Sequence, residues 1–179
     1  MTWTEYVAAA RRTQNKDLTP EQRLAHSVFG MISEWEELME KRDHSMSYVD
    51  VVNELGDYCW FVVEFMDSIG YEITDAQFRE YAYIAALYED HPENKIGKTF
   101  AQISGRVQKT YQGHELDRRY MEVVARTLLG YACSFCFHYF GFDPTLEGAF
   151  EKNVEKLLIR YPSAEGFTAE DSIRRVDVE

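Results

Sequence analysis

The chain has 179 residues, with 19 Lys+Arg against 31 Asp+Glu and a formal net charge of −12. That length suggests one domain over 1–179 with a sizeable core, and 45% hydrophobic with 15% aromatic residues is too rich for intrinsic disorder. The acid surplus argues against binding nucleic acid or anionic lipid by charge neutralisation. It leaves small anionic ligands open, because a metal ion reverses the local sign.

Helix signals recur along the chain and strand alternation is scarcely visible. A short amphipathic helix is expected near the N-terminus, where Glu5 and Arg11-Arg12 interrupt any apolar run, so no signal peptide is expected. Thr19-Pro20-Glu21-Gln22 reads as an N-cap, a proline at N1 and a capping-box glutamine, opening a helix over about 20–42. Ser47-Tyr-Val-Asp50 is a similar start, with a stop at Gly70. Thr74-Asp-Ala-Gln77 opens a third helix that should end before His91-Pro92. Further helices are expected over roughly 95–112, 116–140 and 144–160, with a last turn from Thr168. The fold class is all-α, a helical bundle with short connections. Segment 33–70 is faintly echoed by 104–141, which would make a degenerate duplicated helical hairpin whose second copy lacks acidic pairs.

Three cysteines, Cys59, Cys133 and Cys136, all lie inside apolar runs. They offer no disulfide framework and fit a reducing, cytoplasmic setting. Cys133-x-x-Cys136 has the redox spacing but is read as buried helix thiols. The longest apolar stretches, 58–66 and 131–142, fall short of the ~20 residues a membrane span needs, so no membrane partner is expected.

At ~100° per residue, Leu24, Val28, Met31, Trp35 and Leu38 form an apolar seam on the 20–42 helix. Glu34, Glu37 and Lys41 follow a second line beside it. On the next helix, Val51, Leu55, Tyr58, Phe61, Val62, Phe65 and Ile69 make the stripe, with Glu54 inside it and Asp57 at its edge. Uncompensated carboxylates there would cost several kcal/mol each or titrate to neutral. A divalent cation with oxygen ligands is one partner that satisfies them. A lone Glu-x-x-Glu carries little weight at this acid content; two acidic pairs on consecutive helices, both against apolar seams, carry more.

Gly30-Met-Ile-Ser-Glu34-Trp-Glu-Glu37-Leu-Met-Glu40, followed by Asn53-Glu54-Leu-Gly-Asp57-Tyr-Cys-Trp60-Phe, resembles the MazG-like all-α nucleoside triphosphate pyrophosphohydrolases. Their hallmark is Glu-x-x-Glu on one helix and Glu-Leu-Gly-Asp-x-x-Trp on the next. Asn153-Val-Glu-Lys156-Leu-Leu-Ile-Arg160-Tyr161-Pro162, then Gly166-Phe167 and Ser172-Ile-Arg-Arg175, resembles the family's ending. The match is to longer, phage-type members, with 75–130 a weakly matched extra hairpin. Where many members have small residues near the first acidic pair this chain has Trp35, expected to tighten or reshape the base pocket.

The resemblance implies Mg²⁺-dependent hydrolysis of a (deoxy)nucleoside triphosphate to monophosphate and pyrophosphate, in nucleotide pool cleaning or recycling, with Mn²⁺ as a substitute metal. It implies Glu34, Glu37, Glu54 and Asp57 as catalytic metal ligands. Lys41, Asn153, Lys156 and Arg160 would hold phosphates, although Lys156 and Arg160 also read as a solvated basic face. Trp60 and Tyr161 would either stack on the base or pack. A homodimer or higher homo-oligomer is expected to complete the pocket. Two other readings stay open: an all-α dUTPase-like pyrimidine nucleotide hydrolase, and a catalytically inactive helical binding or assembly protein.

Overall fold

The first four helices each begin where a capping residue stands. In the computed structural model, which describes residues 1–44, 47–87, 93–141, 146–163 and 166–172, helix α1 (Trp3–Arg12) starts from Thr2 and α2 (Pro20–Asp43) from Thr19. Helix α3 (Tyr48–Ser68) starts from Ser47 and α4 (Asp75–Ala86) from Thr74. In all four the cap side chain accepts from the N3 amide, and the N3 side chain returns to the cap amide. Each such cap contributes about 1 kcal/mol. Helices α5 (Glu93–Tyr111), α6 (Arg118–Phe140, capped by Asp117), α7 (Glu147–Arg160) and α8 (Ala169–Ser172) follow. The expected all-α fold is therefore present, with no strand among the described residues. His91, Pro92, Pro144 and Arg175, which marked expected boundaries or motif ends, lie outside those residues. No described helix is long and apolar enough to cross a membrane.

Helix α3 is the axis of the bundle: it packs against α2, α6, α7 and α1. Its mixed surface follows from that position, since nearly every face meets another helix. Trp35 of α2 is 2% exposed and stands edge-on to Tyr58 of α3 and Phe135 of α6, at ring separations of 5.5 and 5.6 Å. Tyr58 also donates to the Leu128 carbonyl at 3.0 Å, tying α3 to α6 inside the core. The expectation that Trp35 shapes a ligand pocket fails here, because its ring is spent in joining three helices. Cys59, Cys133 and Cys136 are buried as expected.

The echo between the two hairpins is limited. Gly70 and Gly141 both end helices with φ of +62°. However, α6 packs chiefly on α4 and α3, and α5 on α2, rather than closing on each other as α2 and α3 do. The positions of α6 that would match Glu54 and Asp57 hold buried Ala125 and Leu128.

Two glycines allow the helices around α3 to come close. A Cβ at Gly30 would fall 2.2 Å from the Phe61 ring. A Cβ at Gly56 would fall 2.7 Å from both the Ala149 carbonyl oxygen and the Asn153 Cβ. Backbone and Cβ atoms cannot yield as a flexible side-chain tip does, so α3 and α7 meet closely only because residue 56 is glycine. Gly56→Ala should therefore destabilise the protein by about 1–3 kcal/mol through overpacking. Gly105→Ala, where an added Cβ meets nothing within 4 Å, should stabilise it by up to about 1 kcal/mol through helix propensity. Urea unfolding followed by far-UV circular dichroism checks both signs.

Candidate functional site

The close approach at Gly56 brings α7 beside the acidic turn of α3 and opens a cleft of ≈ 820 Å³ between α2, α3, α7 and the chain segments that follow α1 and α7. Glu34 from α2 and Glu54 and Asp57 from α3 line it, and one carboxylate oxygen from each lies within 4.8 Å of the others. Antiparallel packing of α2 on α3 makes this meeting possible, since it sets the late turns of α2 beside the early turns of α3.

Two cations and an amide hold the cluster. Lys41 pairs its ammonium with Glu54, and Lys156 of α7 pairs with Asp57. The Asn153 amide donates to the other Asp57 oxygen at 2.7 Å. Asn153 is itself buried and fixed by Tyr6 of α1, whose hydroxyl reaches the Asn153 carbonyl oxygen at 3.1 Å and the Gly56 carbonyl at 2.9 Å. Because Tyr6 engages the carbonyl end of the amide, its NH₂ end faces Asp57. Tyr6 stacks on Phe150 of α7 at 4.2 Å, so α1 clamps the α3–α7 contact from behind.

The charges do not balance. Burial, reinforced by the nearby carboxylates of Asp57, Glu37 and Glu54, pushes the Glu34 carboxyl up to about 8. Burial also raises Glu54, against the opposing pull of Lys41. Glu34 is thus the carboxyl left short of positive charge.

The other expected site residues fall into three groups. Glu37 lines the cleft but is exposed and stands outside the three-carboxylate cluster. Lys156, Arg160 and Tyr161 line the cleft, and the Arg160 Nε is buried with no hydrogen-bond partner. Trp60 lines it as well, yet its indole N–H is anchored to the Thr13 hydroxyl at 2.9 Å and its ring stands edge-on to Phe61. Trp60 therefore packs and faces the cleft together.

Gly166, Phe167 and Ser172 belong to the C-terminal motif, but the contact that places them, with Arg12, had no sequence signal. Arg12 donates to the carbonyls of Tyr161 and Ser163 at 3.1 and 2.9 Å, and the Phe167 amide returns to the Arg12 carbonyl. Gly166 has φ of +84°, and a Cβ there would sit 1.9 Å from that same oxygen. This strap folds the chain after α7 back onto the end of α1 and delivers Phe167 and Ser172 to the cleft. His26 also lines the cleft.

No family model matches the chain, and neither the curated proteins nor the solved structures contain a significant match.

The raised Glu34 has a consequence for stability. With a folded pKa near 8 against an ordinary 4.5, the folded chain keeps a proton that the unfolded chain has already lost. Stability therefore falls as pH rises from about 4.5 to about 8, the window in which the folded state binds more protons. Thermal melts of chelator-treated protein should show Glu34→Gln gaining on the wild type across that window, whereas a constant difference between the two would contradict the assignment.

Proposed function

We propose that the protein is a Mg²⁺-dependent nucleoside triphosphate pyrophosphohydrolase, cleaving a (deoxy)nucleoside triphosphate to its monophosphate and pyrophosphate. The observation that carries the reading is the cleft's composition. Three carboxylates gather at one place, and the side chains of Lys156 and Arg160 stand beside them in a space large enough for a nucleotide. The MazG-like motifs supply the same residues in the same order.

The donor set suits a hard divalent cation. It is all oxygen, and it includes a carboxyl, Glu34, that burial and like charge hold protonated until a cation relieves the repulsion. Glu34, Glu54 and Asp57 would hold Mg²⁺ or Mn²⁺, with Glu37 reaching in from the rim. Bound there, the metal would screen carboxylates from phosphates, acidify water and stabilise charge on the leaving pyrophosphate.

The chain's own residues do the remainder. Lys41 and Lys156 neutralise Glu54 and Asp57, and their ammonium groups would be free to hold phosphate oxygens where a cation took over those carboxylates. Asn153 keeps Asp57 oriented throughout, because Tyr6 fixes the amide independently of ligand. Arg160, with its buried and unpartnered Nε, adds a guanidinium toward the triphosphate. One of the cluster's carboxylates would serve as general base toward the attacking water. Action on cytoplasmic nucleotide pools and assembly as a homo-oligomer belong to this reading.

Assaying pyrophosphate release over a panel of ribo- and deoxynucleoside triphosphates with Mg²⁺ or Mn²⁺ tests it. Release should depend on metal and fall by at least about 10²-fold in Glu54→Gln and Asp57→Asn, with far-UV spectra unchanged. Activity confined to uracil nucleotides would favour the dUTPase-like reading. A folded wild type that releases no pyrophosphate from any nucleotide would overturn the enzymatic reading in favour of a helical binding protein.

A further inference from the structure

Away from the carboxylate cluster, the cleft carries a second polar device. The His26 ring Nδ1 lies 2.6 Å from Glu64 Oε2. The Glu64 side chain is fully buried in α3, and its other oxygen, Oε1, is buried without a hydrogen-bond partner. A carboxylate in that position is costly unless it has a purpose or a counter-charge. Its one described partner is a histidine whose side chain remains 49% exposed and lines the cleft.

The geometry fixes which edge of the ring is offered. An ionised Glu64 carboxylate can only accept, which assigns the Nδ1 proton to this contact and leaves Nε2 as the nitrogen for a ligand. The hydrogen bond to Glu64 raises the His26 pKa above its ordinary value, which favours the imidazolium, the form in which Nε2 is a donor as well. Trp60 and Phe61 stand edge-on to the imidazole at ring separations of 6.3 and 5.4 Å, so the donor emerges beside aromatic walls. His26 precedes Glu34 on α2 by about 12 Å of helix rise. That separation is of the order of a sugar plus a base.

We propose that His26, oriented by Glu64, recognises a ring carbonyl oxygen of the nucleobase, which selects uracil, thymine, cytosine, guanine or hypoxanthine nucleotides over adenine nucleotides. The inference rests on the nucleotide reading of the cleft and adds a base class to it. Trp60 and Phe61 supply the apolar flank and Nε2–H the single directional contact. An adenine amino group in the same place would set donor against donor and leave both unpaired, which is where hydrogen-bonding sites discriminate most strongly. Glu64 acts as a positioning residue, since it touches the imidazole and lies buried behind it.

The test pairs binding with turnover. Calorimetry with Mg²⁺ present measures the affinities of inosine, uridine and adenosine monophosphates for wild type, His26→Ala, His26→Phe and Glu64→Gln, and the matching triphosphates are assayed for pyrophosphate release. The inference predicts that wild type binds inosine monophosphate at least about tenfold more tightly than adenosine monophosphate, a ratio worth one directional hydrogen bond. Both His26 variants should bring the ratio toward parity, and Glu64→Gln should lower it. The phenylalanine variant keeps a ring of similar shape, so it reports even where alanine lowers the melting temperature. A wild type without the preference, or a preference that survives both His26 variants, overturns the inference. Pyrophosphate release without base preference overturns it and leaves the hydrolase reading standing. A His26-dependent preference among monophosphates with no turnover of any triphosphate does the reverse. Failure of every nucleotide to bind removes both.

Discussion

The contact between α3 and α7 at Gly56 is the constraint on which the rest of the site depends. Glycine there lets the backbone of α3 approach the Ala149 carbonyl and Asn153 to within the space a methyl group would fill. That approach sets Asn153 and Lys156 on Asp57, and it lets Tyr6 bridge both helices with one hydroxyl. Asp57 could otherwise face solvent; here three carboxylates converge within 4.8 Å. Burial, reinforced by the like charges of its neighbours, pushes the Glu34 carboxyl well above the ordinary carboxylate range. The bundle thus uses its packing to hold like charges together, a demand that the proposed cation would relieve.

Much of the fold was legible in the sequence, because helices announce their ends. Thr19-Pro20 with Gln22, Ser47 with Asp50 and Thr74 with Gln77 all cap as their spacing predicted, and Gly70 stops α3 in the left-handed conformation that favours glycine. The placement of Glu54 in an apolar stripe was legible for the same reason, since helical rotation is fixed at about 100° per residue. It emerges 6% exposed.

Tertiary partners were much less legible. His26 and Glu64 sit on different helices, and nothing in either local pattern marks their pairing. Only the antiparallel register of α2 on α3 brings them together. Trp35 misled for the converse reason: its neighbours in sequence are the acidic pair, but its ring lies on the apolar seam beside them and meets Tyr58 and Phe135 in the core. Arg12 and Gly166 likewise make sense only once the strap after α7 closes on the end of α1. Sequence periodicity determined which face each residue takes, and the helix contacts then determined what that face meets.

The net charge of −12 acquires a specific meaning in this account. Among the described residues most acidic side chains are exposed, while Glu34, Glu54 and Asp57 are drawn into one cleft, where Lys41 pairs with Glu54 and Lys156 with Asp57. The central claim is that these three carboxylates form a divalent-cation site. Titrating Mn²⁺ into the chelator-treated protein and following free Mn²⁺ by electron paramagnetic resonance tests it most directly. The account predicts that wild type removes Mn²⁺ signal stoichiometrically and that a Glu34→Gln, Glu54→Gln, Asp57→Asn triple variant, still folded, does not. Equal uptake by wild type and triple variant, or no uptake by the folded wild type, would contradict it.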